Sequence, residues 1–160
     1  MLNIKIICVG KLKEKFFADA AGEYIKRIGR YAKLDVVEVS DKSIPDSAGE
    51  KQQQQVLAAE ADAILAKVPA GAYVVALCVE ASQLSSEQFA ERLAQCAVDG
   101  KSCIAFIIGG SLGLHERVKS RADLRLGFSK MTLPHQLMRV VLLEQVYRAF
   151  KILGNETYHK

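Results

Sequence analysis

The 160-residue chain alternates between short apolar runs and longer segments whose apolar residues recur every three or four positions. Such runs are typical of strands buried on both faces of a sheet, and such segments are typical of amphipathic helices. The apolar runs cover residues 4–10, 34–39, 72–79, 102–110 and 124–128, and the helical patterns cover 11–32, 55–68, 85–98, 114–122 and 135–153. This order predicts an α/β fold, with a mostly parallel sheet, helices on both faces, and sites at the carboxyl ends of the strands.

The chain is expected to form one domain over residues 1–160. Half of its residues are apolar, which suffices for a core that needs no disulfide or metal ion. Neither an internal repeat nor a Pro/Gly-rich linker divides the chain. Residues 43–55 form the most polar and least complex stretch, so we expect a flexible loop there. Ser85 or Ser86 is expected to cap the helix that follows.

Cysteine and histidine spacings favour buried, reduced thiols and no metal site. The four cysteines show neither CxxC nor CxxH spacing, and the three histidines are scattered. The N-terminal apolar run is short and contains Lys5, and no run approaches the roughly 18 apolar residues of a membrane span. These features predict a cytoplasmic protein without membrane segments.

Charge is distributed unevenly around a net value of +4. The balance is +5 over residues 1–33, −7 over 34–100 and +6 over 101–160. If the two ends meet in space, they form one basic surface suited to a polyanion such as nucleic acid. The alternative is that these charges are simply the solvated faces of helices.

The last helical segment, residues 135–153, carries Arg139 in the middle of an apolar stripe. At 100° per residue, five apolar residues fall within about 60° of it: Val146, Phe150, Leu153, Leu143 and Leu142. A buried guanidinium requires a hydrogen-bonding or anionic partner. That partner is an acidic side chain of this chain, a carbonyl, or a group of a second subunit.

Further apolar residues lie outside that stripe, among them Leu137, Val140 and Val141. The segment therefore has more apolar surface than one sheet covers, and we expect it to form a homodimer interface; a fully internal helix is the alternative. Arg148 lies opposite Arg139, and with Lys151 nearby it is placed to reach a phosphate.

A Gly-rich turn, "IIGGSLGLHE", follows a buried strand and precedes a helix. Glycines there allow a ligand to approach the backbone. The turn lacks the Lys-Ser or Lys-Thr of a P-loop and is not GxGxxG, so a purely structural turn is the alternative. The turn after the first strand, "CVGKLKEKF", has a single glycine, which places the expected site in the C-terminal half rather than at a Rossmann-type position.

Three motifs together, "FIIGGSLGL", "LGFSKMTLPHQLMRVVLLEQVYRAFKI" and the terminal "YHK", resemble the RlmH family of large-subunit (23S) ribosomal RNA pseudouridine N3-methyltransferases, within the SPOUT superfamily. The start, "IKIICVGKLKEKFF", is similar to that family as well. The resemblance implies a C-terminal trefoil knot, with knot and cofactor site within about residues 74–153. It also implies S-adenosylmethionine as methyl donor, an obligate homodimer, and a pseudouridine substrate on assembled ribosomes.

The resemblance also assigns residues. The cofactor would be held by Leu77, Gly109, Phe128, Ser129, Lys130, Met131, Thr132 and Leu133. Where the family commonly has an acidic residue and then Gly-Lys, this chain has Cys78 and Ala81-Ser82, which argues against a side-chain role there and leaves contacts through the Leu77 backbone. His159 is the candidate base for the N3 proton, Tyr158 and Arg148 are expected to position base or phosphate, and His135 is expected to be structural.

Two other functions fit parts of the pattern. One is a non-catalytic RNA-binding or ribosome-binding module of the same fold, which needs the basic faces but not the loop "FSKMTLPHQ". The other is a small-molecule α/β enzyme that binds phosphate at the Gly-rich turn, which leaves the two basic ends unexplained.

Overall fold

The computed structural model describes residues 1–42 and 44–158. Within them, five strands alternate with five helices: β1 (Leu2–Val9), α1 (Lys15–Ile28), β2 (Ala32–Val39), α2 (Glu50–Lys67), β3 (Tyr73–Leu77), α3 (Ser86–Val98), β4 (Cys103–Ile108), α4 (Glu116–Arg121), β5 (Leu124–Leu126) and α5 (His135–Leu153). The strands form one sheet in the order β2-β1-β4-β3-β5, and all pairs are parallel. The predicted α/β class is confirmed.

Helices cover both faces of this sheet, as the alternating pattern predicts. Side chains of α1, α3 and α5 pack on one face with Ile6 and Phe106. Side chains of α2 and α4 pack on the other face with Ile7 and Ile107. Neighbouring residues of β1 and β4 point to opposite faces, and both faces are buried, so β4 is apolar throughout and β1 is apolar from Ile6 to Val9.

The N-terminal part of α2 corrects one prediction. The helix begins at Glu50, so the loop expected over residues 43–55 is wrong for 50–55. Glutamine is a good helix former, and a helix anchored further along extends at little cost into such residues. The anchor is a buried stripe of Leu57, Glu60, Ala61 and Ile64.

Ser85 is the residue that caps α3. Its Oγ accepts a hydrogen bond from the Gln88 N–H at 3.1 Å, and Gln88 Oε1 accepts one from the Ser85 N–H at 2.9 Å. This reciprocal pair satisfies two N–H groups at the start of the helix. The Ser86 hydroxyl instead donates to Gln145 Oε1 at 2.7 Å, which joins α3 to α5.

Helix α5 lies between α1 and α3, so the basic N-terminal and C-terminal segments meet in space. The rings of Tyr31 and Phe150 stack with centroids 5.5 Å apart across this contact. Leu137, Val140 and Val141 remain only partly buried within the single chain. The face outside the Arg139 stripe therefore still has apolar surface to cover.

The buried guanidinium of Arg139 finds two of its three possible partners. Its side chain is 4% exposed; Nη1 donates to Glu38 Oε2 at 2.8 Å, and Nη2 donates to the Gly10 carbonyl at 3.1 Å. Helix α5 is thereby fastened to the carboxyl ends of β1 and β2.

Cysteines lie in the core as free thiols. Cys8, Cys78 and Cys96 are buried and Cys103 is partly buried. Burial raises the pKa of each thiol, to about 11 for Cys8. In the described ranges, we find no cluster of side chains arranged to hold a metal ion and no helix with the length and apolarity to cross a membrane.

Candidate functional site

A cavity of about 450 Å³ opens at the carboxyl ends of β3, β4 and β5. Its walls are the loops that follow these strands, completed by the first turn of α5 and by α4. Ligands of open parallel sheets bind outside the carboxyl ends of the strands. The volume lies within the roughly 300–1,000 Å³ typical of small-molecule and cofactor sites, and the lining is mainly apolar.

Two glycines allow the loops around this cavity to pack closely. A Cβ on Gly109 would lie 2.5 Å from the Gly113 carbonyl oxygen, so the turn after β4 closes only with glycine there. A Cβ on Gly127 would lie 2.5 Å from the Ala81 carbonyl oxygen, so the loop after β5 rests directly on the loop after β3. Such contacts leave the backbone itself as the surface that a ligand meets.

Backbone hydrogen bonds hold these two loops together. The Gly127 N–H donates to the Ser82 carbonyl at 3.0 Å, and the Cys78 N–H donates to the Leu126 carbonyl at 2.9 Å. The Met131 N–H donates to Ser129 Oγ at 3.0 Å and tightens the loop that leads into α5. At the departure from the family pattern, Cys78 and Ser82 thus join the two loops through backbone hydrogen bonds.

One ion pair supplies charge to the mainly apolar lining. Lys119 Nζ lies 2.8 Å from Glu80 Oε1, and both residues line the cavity. Their hydrogen bond holds the pKa of Glu80 below its usual value and raises that of Lys119, so both groups stay charged near neutrality. No local sequence pattern joins a residue after β3 to one in α4, so the sequence alone does not indicate this pair.

Seven of the eight residues assigned to the cofactor line this one cavity: Leu77, Gly109, Phe128, Ser129, Met131, Thr132 and Leu133. Lys130 lies in the same loop but is exposed and outside the lining. His135 begins α5 and also lines the cavity. The role of these residues in binding a cofactor stays a prediction.

Arg148 and Tyr158 lie together at a second place on α5. Arg148 Nε and Nη2 donate to Glu144 Oε1 at 2.9 and 2.6 Å, and the Tyr158 hydroxyl donates to the same oxygen at 3.2 Å. The Arg148 guanidinium lies 4.8 Å from the centre of the Tyr158 ring. Burial, followed by the charge of Glu144, raises the pKa of Tyr158 to about 12.

The C-terminal segment is held against α5 and the turn that follows α1. Lys151 Nζ lies 2.6 Å from Glu156 Oε2, and the Tyr31 hydroxyl donates to Glu156 Oε1 at 2.8 Å. Arg148 is ten residues beyond Met138, the last α5 residue in the cavity lining, or about 15 Å along the helix. The structure thus does not bring Arg148 and Tyr158 to their own chain's cavity; His159 lies outside the described residues.

Comparison with known proteins gives full-length relatives. A protein from Bifidobacterium animalis subsp. lactis, named ribosomal RNA large subunit methyltransferase H, is 54% identical over 99% of this chain and 100% of its own length. A protein from Clostridium perfringens named ribosomal RNA large subunit methyltransferase H 1 is 50% identical over the same shares.

Solved structures share the fold at low identity. A probable methylase family protein from Haemophilus influenzae Rd KW20 superposes with a TM-score of 0.58 at 17% identity, covering 99% of this chain and 71% of that one. The tRNA (m1G37) methyltransferase from Aquifex aeolicus superposes with a TM-score of 0.54 at 14% identity, covering 92% and 69%.

A family model described as "Predicted SPOUT methyltransferase" matches residues 2–159, which is nearly the whole chain. The relatives at about half identity extend over the same length. With its parallel sheet and its cavity at the strand ends, the chain belongs to the SPOUT methyltransferase family.

Proposed function

We propose that this protein is an S-adenosylmethionine-dependent methyltransferase that methylates N3 of a pseudouridine in large-subunit ribosomal RNA, in the cytoplasm and on assembled ribosomes. The observation that carries the proposal is the single cavity that gathers seven of the eight cofactor residues implied by the sequence. Membership of a methyltransferase family and relatives named ribosomal RNA large subunit methyltransferase H support the same reaction.

The residues of the cavity fit this cofactor. Glycine at position 109 leaves backbone exposed, Phe128 and Leu133 offer apolar surface to a purine ring, and Glu80 and Lys119 offer a carboxylate and an ammonium to polar groups. When bound, S-adenosylmethionine supplies an activated methyl group. The chain therefore mainly has to orient the acceptor and exclude water.

Proton removal from N3 is assigned to the C-terminal tail. His159 is the proposed acceptor of that proton, because a neutral imidazole accepts a proton near neutral pH. Arg148 and Tyr158 are proposed to position the base or a phosphate. Their link through Glu144 holds both in one orientation, and the hydrogen bond that Arg148 donates to that carboxylate raises the pKa of Arg148, which stays cationic.

A homodimer formed through α5 would explain why the C-terminal tail lies far from the cavity of its own chain. The half-covered Leu137, Val140 and Val141 lie on the N-terminal half of α5, near the cavity. A two-fold interface is self-complementary, and antiparallel pairing puts the C-terminal half of one helix beside the N-terminal half of the other. The tail of one subunit would then serve the cavity of its partner.

We further propose that the C-terminal half forms a trefoil knot. The close contact of Gly127 with the Ala81 carbonyl supports this, because the loop after β5 is packed against the loop after β3 before the chain enters α5.

The function is tested by methyl transfer from radiolabelled S-adenosylmethionine. Assembled ribosomes that contain the pseudouridine should be methylated, and ribosomes from cells lacking the isomerase should be methylated much more slowly. Free ribosomal RNA should be a poor substrate, since folded shape and phosphates provide most of the affinity. Efficient methylation of a short free oligonucleotide would contradict the requirement for ribosomes.

The catalytic role of His159 is tested separately with His159→Ala. The matched control is His115→Ala, which replaces a histidine at the N-terminus of α4. His159→Ala should lower kcat at least about a hundredfold with unchanged cofactor affinity, the size typical of a lost general base. Near-normal kcat would remove the catalytic assignment.

Calorimetry with S-adenosylmethionine separates this enzyme from a non-catalytic RNA-binding module. The enzyme should give a saturable heat of binding with the cofactor, and the module should give none.

A further inference from the structure

A second cavity, of about 530 Å³, lies at the carboxyl ends of β1 and β2. It adjoins the first cavity, because Ser111, Leu112 and His135 line both. Any group bound in it would therefore lie beside the candidate cofactor site. None of its lining residues is among those assigned to the cofactor.

The wall of this second cavity contains the carboxyl group of Glu60, which is only 5% exposed. Glu60 belongs to the buried stripe of α2, where an apolar residue would be the stable choice. Burial is the main cause that raises its pKa, and the charge of Asp41 adds to it, while the Lys42 backbone N–H and ammonium oppose it. A carboxyl group kept in such a position at a cavity wall is suited to meet a ligand.

Three exposed lysines, Lys11, Lys13 and Lys42, line the same cavity. The lining also contains Glu38, which is paired with Arg139, and the exposed Asp41. The charge of Glu38 is therefore neutralised, and the three exposed lysines outnumber the exposed carboxylate Asp41, so they can meet an anion. Phosphates of a nucleic acid are anions that exposed lysines bind as point charges.

We propose that this second cavity receives the acceptor nucleotide, with Glu60 hydrogen-bonded to the edge of its base and with Lys11, Lys13 and Lys42 against the flanking phosphates. This inference rests on the proposed function. The N1 edge of a pseudouridine carries N–H next to the C2 carbonyl, and a contact there leaves N3 free for the methyl group and its proton for His159. A carboxyl group matches it, since its oxygens accept from N–H and the protonated form also donates to C=O. Enzymes that modify a base take it out of its stack into such a pocket.

Glu60→Leu and Glu60→Gln test the base contact. Leucine keeps the volume without hydrogen bonds, so kcat/KM on ribosomes should fall about tenfold or more while the melting temperature stays equal or rises. Glutamine keeps an acceptor beside a donor and should restore most of the activity. If Glu60 only packed α2, both variants would methylate at the normal rate.

Lys11→Ala/Lys42→Ala tests the phosphate contacts, with Lys51→Ala/Lys67→Ala on exposed positions of α2 as the matched control. Two lost phosphate contacts should lower the slope of log affinity for ribosomes against log salt by about 1 to 2. The control should leave the slope unchanged. Equal slopes in the two double variants would overturn the proposal.

Calorimetry with S-adenosylmethionine accompanies both tests. Unchanged cofactor affinity with impaired methylation of ribosomes supports the acceptor pocket. Normal methylation by all pocket variants overturns the pocket and leaves the proposed function standing. A wild-type protein that methylates no ribosome overturns the proposed function, and with it this inference.

Discussion

Arg139 shows how a single residue connects sequence, stability and site. Its position on an apolar stripe indicated a buried guanidinium that needs a partner. The structure provides that partner in Glu38, and the Gly10 carbonyl in addition. One side chain therefore fixes the start of α5, whose first turn lines both cavities, to the ends of two strands.

Arg139→Ala should lower the free energy of unfolding by about 3 kcal/mol. The change removes a guanidinium that is buried, although the side chain of its partner Glu38 is 36% exposed, and it leaves the carboxylate of Glu38 and the carbonyl of Gly10 without their donor. Urea unfolding measures the effect. Arg30→Ala, at an exposed position after α1, is the control and should change stability by less than about 0.5 kcal/mol. A loss below 1 kcal/mol at Arg139 would contradict this account of the ion pair.

Secondary structure elements were predictable because their signals are local. The five apolar runs and the helical periodicities each overlap an observed strand or helix, and Ser85 caps α3 from within its own segment. The error at the start of α2 has the same origin. Polarity and low complexity indicated a loop over residues 50–55, whereas the buried stripe further along the helix decides that these residues are helical.

The turn after β4 gives a prediction with a matched glycine. Gly109→Ala places a Cβ 2.5 Å from the Gly113 carbonyl oxygen, so the backbone must shift. We expect a loss of about 1–3 kcal/mol in stability and weaker binding of S-adenosylmethionine. Gly22→Ala adds a methyl group in open space on α1 and should stabilise by about 0.5–1 kcal/mol.

Urea denaturation measures the stability of the two variants, and calorimetry measures their affinity for S-adenosylmethionine. Equal stability of Gly109→Ala and the wild-type protein would show that the turn tolerates a side chain.

At the scale of the whole molecule, buried thiols predict a dependence of stability on pH. The Cys8 thiol has a pKa of about 11 in the folded chain and an ordinary value of 9.0 when exposed. Between these values the unfolded chain binds fewer protons than the folded one. The free energy of unfolding therefore falls as pH rises through this window, by about 2–3 kcal/mol from this group, and is unaffected by it below pH 8.

Cys8→Ala isolates that contribution. The pKa values of the other three thiols are raised as well, and these thiols remain in the variant: Cys78, Cys96 and Cys103. The variant will be less stable at neutral pH, because a core side chain is shortened. Its stability should nevertheless fall less steeply between pH 9 and 11. Parallel curves for variant and wild-type protein would contradict a buried, protonated thiol.

By itself, the sequence determined the class of fold, the order of its elements and the Gly-rich turn, because apolar periodicity and turn chemistry act over a few neighbouring residues. Through resemblance it also indicated the loop that lines the cavity. It singled out Arg139, but left the partner of that residue open.

Only the tertiary structure decided which distant segments meet. The sheet order brings the ends of β3, β4 and β5 around one cavity, pairs Glu80 with Lys119, and sets Glu60 into the wall of a second cavity. Glu60 was detectable as a carboxylate on the buried stripe of α2, yet its cavity was not. These contacts join residues far apart in the chain, so no local pattern specifies them; the packing of the parallel sheet and its helices does.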